Sequence, residues 1–165
     1  MKNISKSIIV ALFIAFAAQA QVKNNLEYYR YELECVGTGV DGTYLIKVWN
    51  YSKRSKVAIK EAKRNAVHGV IFKGFGAGEN CQSQKPLASS PGIEEQSKDY
   101  FTDFFSDNGK YQKFINVSGD GSIASEDILK VGKEYKIGIV VSVMKDALRA
   151  ELEQAGVIKG LSSGF

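Results

Sequence analysis

Histidine, tryptophan, cysteine and proline are all scarce in this chain: one His68, one Trp49, two cysteines (Cys35 and Cys81) and two prolines (Pro86 and Pro91). With one histidine, and no serine or cysteine in a nucleophile-elbow context, neither Ser-His-Asp nor Cys-His chemistry has an identifiable constellation. Two cysteines and one histidine are too few for an ordinary four-ligand zinc site. After residue 20 no apolar run is long enough to span a bilayer, which takes about 20 residues. A strong excess of one charge is missing as well. Lys and Arg number 22 against 18 Asp and Glu, a net +4, and a nucleic-acid binder shows a stronger one-sided excess.

What is present begins with a leader. Lys2 and Lys6 precede an apolar run from Ile8 to Ala18 and the small-residue triplet Ala18, Gln19, Ala20. This is the pattern of a secretory signal peptide, residues 1–20. Its removal predicts a mature chain 21–165 with a charge of +2, enough for one domain with a real core. No cysteine follows the cleavage site to carry a lipid. Export makes a Cys35–Cys81 disulfide the first reading of the even cysteine count.

The clearest pattern lies in residues 133–156. Tyr135, Ile137, Ile139, Val141 and Val143 alternate as one face of a well-buried strand. A helix follows, with Asp146 as N-cap, a stripe of Leu148, Leu152 and Ala155, and Gly156 then Val157 as a left-handed stop. Upstream, residues 26–36 and 43–52 alternate as two strands around a Gly-rich turn, an antiparallel hairpin. Residues 56–69 take a helical period, with Ala58, Ala62, Ala66 and Val70 inward and His68 on the solvent side, and residues 70–73 either end this helix or start a short strand. Residues 74–92 hold both prolines and form the longest loop. A second helix is expected over 93–106 with Tyr100, Phe101, Phe104 and Phe105 as its buried edge, then a strand over 110–117 and polar turn material over 118–132. These elements predict a single α+β domain: an antiparallel sheet of about four strands with two to three helices packed mainly on one face.

The motifs that carry chemistry elsewhere have plainer readings here. Gly37, Gly39 and Gly42 match a dinucleotide fingerprint, but a strand rather than a helix follows, so the segment reads as a hairpin turn. Residues 116–127 imitate a calcium loop, with Asn in first place and Asp rather than Glu in last, and read as a polar turn. Glu94, Glu95, Asp99 and Asp103 are the acids a carboxylate-pair glycosidase would need, yet they sit where acids complement a helix N-terminus. No cofactor is predicted. Two places remain for a partner: the loop, through Gln82, Gln84 and Lys85, and the basic helix face, through Lys60 and Arg64.

The stretches VWNYSKRSKVAIKEAKRNAVHGVIFKGF, QKPL, FFSDNGKY and KVGKEYKIGIVVSVMKDALRAELEQAGVIKGLSSGF make the chain resemble a group of uncharacterised exported proteins of Bacteroidota. The resemblance implies export and a shared fold, and no activity. The AIKEAKRNAV helix and the late strand-helix unit are similar in arrangement to small α+β modules of periplasmic flagellar-assembly proteins and outer-membrane lipoproteins. The resulting expectation is a periplasmic or secreted, non-enzymatic module that binds an envelope protein or a surface polymer. The alternative is a small hydrolase acting on envelope glycans.

Overall fold

The structure, a computed structural model, describes residues 29–160 apart from 41, 56–58, 79–80 and 120. The chain divides into two units, Met1–Arg30 and Tyr31–Phe165. The expected leader lies outside the described residues.

Five strands make one antiparallel sheet: β1 (Tyr31–Thr38), β2 (Tyr44–Ser52), β3 (Ile115–Val117), β4 (Ile128–Val131) and β5 (Glu134–Val143). Among the described residues the helices that accompany it are α1 (Ile59–Phe72), α2 (Ile93–Gln96), α3 (Lys98–Phe104) and α4 (Lys145–Gln154). The α+β class is as the periodicity predicts, and β5 is its centre. On one edge β2 pairs along nearly all of β5, from Tyr44 opposite Val143 to Ser52 opposite Tyr135. On the other edge β4 takes Glu134 to Ile137 and β3 takes Val141 to Val143. Residues 115–131 therefore behave as one edge strand interrupted by an excursion over 118–127.

Alternation decides the inner face. Ile137, Ile139, Val141 and Val143 of β5 and Ile46 and Val48 of β2 are all buried. Against them lies α1, whose Ala62 and Ala66 are fully covered and let the helix come close to the sheet. Asn65 Nδ2 donates to Asn50 Oδ1 at 2.8 Å, a buried polar tie from helix to sheet.

Several expectations need correction. His68 is not on a wet face: it is 4% exposed. The helical wheel assumes water opposite the sheet, whereas aromatic side chains roof that side, with Phe72 at 4.7 Å and Phe105 at 5.7 Å between ring centroids. Of the two readings for residues 70–73, the end of the first helix holds, since that helix runs to Phe72. The predicted helix over 93–106 breaks at Ser97 into α2 and α3, with Phe101, Phe104 and Phe105 buried as expected. Lys110–Phe114 is a 3-10 turn rather than strand, because Tyr111 and Phe114 both turn into the core. The supposed turn over 118–132 contains β4, too short for its period to show. At α4 the N-cap is Met144, which makes no side-chain cap bond, while Asp146 stands in the first turn with its N–H on the Gly42 carbonyl at 3.2 Å. Leu148 and Leu152 are buried but Ala155 is exposed. Gly156 takes the predicted left-handed conformation (φ 70°), and Val157 is buried beyond it.

Candidate functional site

The β1–β2 turn, the start of α4 and the 74–92 loop meet around a cleft of about 640 Å³. Its first wall is glycine-rich backbone, Gly37, Gly39 and Gly42, with Val40 and Thr43. The turn closes on itself, since Thr43 donates to the Val40 carbonyl through both its amide (2.9 Å) and its hydroxyl (2.6 Å). A bulge between Cys35 and Gly37 shifts the register of β1 just before the turn.

The second wall is the loop, which is more ordered than its composition predicts. Phe75 bridges Gln84 and Gly78 bridges Cys81, so residues 75–78 and 81–84 run antiparallel to each other. Cys81 is bonded to Cys35 as expected, with Cα atoms 6.3 Å apart. This staples the loop to β1. A side chain at Gly78 would place its Cβ 2.6 Å from the Cys35 carbonyl oxygen, so only glycine allows this approach. Further on, Leu87 and Ala88 donate to the carbonyls of Val70 and Ile71 at 3.2 and 2.9 Å.

Tyr44 joins the two walls. Its hydroxyl donates to Gln84 Oε1 at 2.7 Å, and its ring meets Phe75 edge-on at 5.1 Å. Burial pushes the phenol above its ordinary pKa and keeps it a hydrogen-bond donor. Lys145 completes the rim, its ammonium 5.3 Å from the Tyr44 ring centroid and 3.1 Å from Asp146 Oδ1. Among the described lining residues there is no carboxylate.

The structure separates the sequence candidates into two groups. Gln82 and Gln84 line the cleft with Cys35 and Cys81, whereas Lys85, Lys60 and Arg64 are not among the described lining residues. Gln82 and Lys85 are exposed, while Gln84 is half-buried and engaged by Tyr44. Lys60 reaches Asp107 Oδ1 at 2.9 Å, which holds that carboxyl below its usual range. Arg64 is half-buried, and burial lowers its pKa. The acids of the glycosidase alternative do not converge on the cleft: Glu94 lies 3.2 Å from His68 Nε2, and Glu95 is 3.7 Å from Lys98. In the calcium-like stretch, Asp127 is taken by Lys47 at 2.6 Å, and Asp120 lies outside the described residues. Among the described residues no group of three or more His, Cys, Asp or Glu side chains converges, and no helix is long and apolar enough to cross a membrane.

Sequence reasoning missed Tyr44 and Lys145 as cleft residues. Both obey the period of their own elements, and nothing local reveals that two element ends meet across the loop. Comparison with known proteins found no matching family model, no curated relative and no similar solved structure.

Proposed function

We propose that the chain is an exported, non-enzymatic module that holds a protein or surface-polymer partner along the cleft between the β1–β2 turn and the 74–92 loop. One observation carries the reading: a loop rich in breakers is stapled at Cys81 to β1 and presents Gln82 and Gln84 into an open cleft. Fixing the loop in advance lowers the ordering cost of binding. The exposed Gln82 amide beside glycine backbone offers paired donors and acceptors, which serve recognition rather than proton transfer.

The test is a pull-down from envelope fractions with the purified chain as bait, repeated with two variants. Gln82→Ala with Lys85→Ala changes only exposed loop positions and is expected to abolish retention of the partner with the melting temperature unchanged. Lys60→Glu with Arg64→Glu is expected to leave retention intact, and retention by the unaltered chain is expected to resist salt, because contacts of mixed polarity are screened far less than a purely ionic patch. Retention that survives the loop changes but fails in the helix variant, or that falls steeply with salt, moves the site to the helix face.

A further inference from the structure

The sheet has a second face, opposite the one that α1 covers. Parity places Glu32 and Glu34 of β1, Lys47, Trp49 and Tyr51 of β2, Lys136 and Gly138 of β5 and Leu129 of β4 on it. The indole of Trp49 lies across the strands. At one end its Nε1 donates to Glu34 Oε2 at 2.7 Å on β1; at the other its six-membered ring rests above Gly138 on β5. A Cβ at position 138 would come within 3.0 Å of both the ring and the Lys47 side chain. A glycine inside the central strand thus keeps the ring low, and an interior strand glycine marks a place of close approach.

Charges of both signs surround the ring. The Lys47 and Lys136 ammoniums each stand 5.3 Å from the indole centroid. Lys47 is paired with Asp127 and Lys136 with Glu32, both at 2.6 Å, and Glu32 also accepts from the Tyr51 hydroxyl at 2.6 Å. With two ammoniums against three carboxylates, Glu34 included, such a face carries no positive excess to attract a polyanion. It offers instead two aromatic rings, two residues and so about 7 Å apart along one strand, bordered by alternating donors and acceptors. A neutral polyhydroxylated chain complements both features: the C–H faces of its sugar rings meet the aromatic surfaces, and each hydroxyl donates to a carboxylate while accepting from an ammonium.

We infer that the Trp49–Tyr51 face is a second binding surface, distinct from the cleft, and that its ligand is a neutral glycan chain. Trp49 is the only tryptophan in the sequence, so its emission reports this face alone. The purified chain is run in native gels containing laminarin, xylan or hydroxyethylcellulose, with heparin as the anionic arm and a plain gel as reference, and the same polymers are titrated against Trp49 emission. Retardation by at least one neutral polymer is expected, together with a change in emission. Trp49→Ala is expected to lower the affinity at least tenfold, and Trp49→Phe to retain part of it, with circular dichroism unchanged in both. Should Trp49→Ala fail to fold, Glu34→Gln, which weakens the hold on the indole N–H, is expected to reduce retardation at least threefold. No retardation by any neutral polymer, retardation by heparin alone, or retardation indifferent to both Trp49→Ala and Glu34→Gln overturns the inference. Loop variants at Gln82 and Lys85 are expected to leave retardation unchanged, so the two surfaces are tested independently.

Discussion

β1, β2 and β5 are joined residue by residue through backbone ladders, with α1 laid on them through alanines. Residues 74–114 meet the rest of the domain differently. Their attachments are points, among them one disulfide, the Tyr44–Gln84 bond, two amides on the carbonyls of Val70 and Ile71, the His68–Glu94 contact, the Lys60–Asp107 and Lys110–Glu151 pairs and a cluster of phenylalanines. A ladder fixes register at every residue, so periodic side chains suffice to specify it. Point attachments depend on particular pairs far apart in sequence. The same α1 therefore has one side that hydrophobic alternation explains and another that only the assembled aromatic roof explains.

The largest expected effect tests whether these two regions are one cooperative core. Phe104 is 2% exposed and touches Tyr100, Phe105 and Phe114. Phe104→Ala is expected to cost about 3–5 kcal/mol, measured by urea unfolding. Trp49 emission reports the sheet and the side-chain NMR signals of Phe101, Phe104 and Phe105 report the aromatic roof, and the two midpoints are expected to coincide in the native chain. Separate midpoints would show that the point-attached region unfolds alone and would break the comparison in favour of two units.

Second in size is the disulfide, which closes a separation of 46 residues. Replacing Cys35 and Cys81 by serine is expected to cost about 2–4 kcal/mol, chiefly by freeing the unfolded chain. Thiol labelling of the unfolded, unreduced protein is expected to find no free cysteine, and two reactive thiols per chain would contradict the structure. In the doubly substituted protein, amide exchange is expected to quicken over residues 75–84 while β2 and β5 stay protected. Uniform loss of protection would mean that the staple supports the ladder as well as the loop.

The contrast between ladder and point attachment also explains what was legible in the sequence. β5, the β1–β2 hairpin, the inward alanines of α1 and the Gly156 stop all follow from periods of 2 or 3.6 and from single-residue chemistry. β4 was hidden because four residues carry too little periodicity, and the 3-10 turn before β3 because Tyr111 and Phe114 are buried without a strand's alternation. His68 was misplaced for a deeper reason. A helical wheel describes a helix with one neighbour, and α1 has two. At the cleft, Gln82, Gln84 and the Cys35–Cys81 pair were visible from loop length and cysteine count, whereas Tyr44 and Lys145 enter only through tertiary approach of two element ends. The Trp49 platform was similarly opaque: the sequence shows Trp49 two residues from Tyr51, and only the register puts Gly138 beneath the ring.

The smallest expected effect probes the covered side of α1 through its one titrating ring. Tyr31 Oη lies 2.5 Å from His68 Nδ1, and Nε2 lies 3.2 Å from Glu94 Oε1. A carboxylate only accepts, so Nε2 carries the proton and Nδ1 accepts from the tyrosine hydroxyl, which is the neutral imidazole. Burial is the main force on the ring and lowers its pKa, against the smaller opposing pull of Glu94, whose side chain is 47% exposed. In the unfolded chain His68 takes up a proton as the pH falls through about 6.5, while the folded ring stays neutral to a lower pH. The unfolded state then binds more protons, so His68's contribution is fully present above about pH 6.5 and declines as the pH drops, by at most about 1.4 kcal/mol per unit. Glu32, whose carboxyl is held below its usual range by its bonds to Lys136 and Tyr51, contributes its own loss nearer pH 4 and below. Urea midpoints of the native protein and of His68→Gln between pH 5 and 8 separate the two, since the variant keeps Glu32 and loses only the upper slope. If the native protein instead gains stability relative to the variant as the pH falls, an imidazolium paired with Glu94 outweighs burial, and that side of α1 is an ion-pair site rather than the dry aromatic core its packing describes.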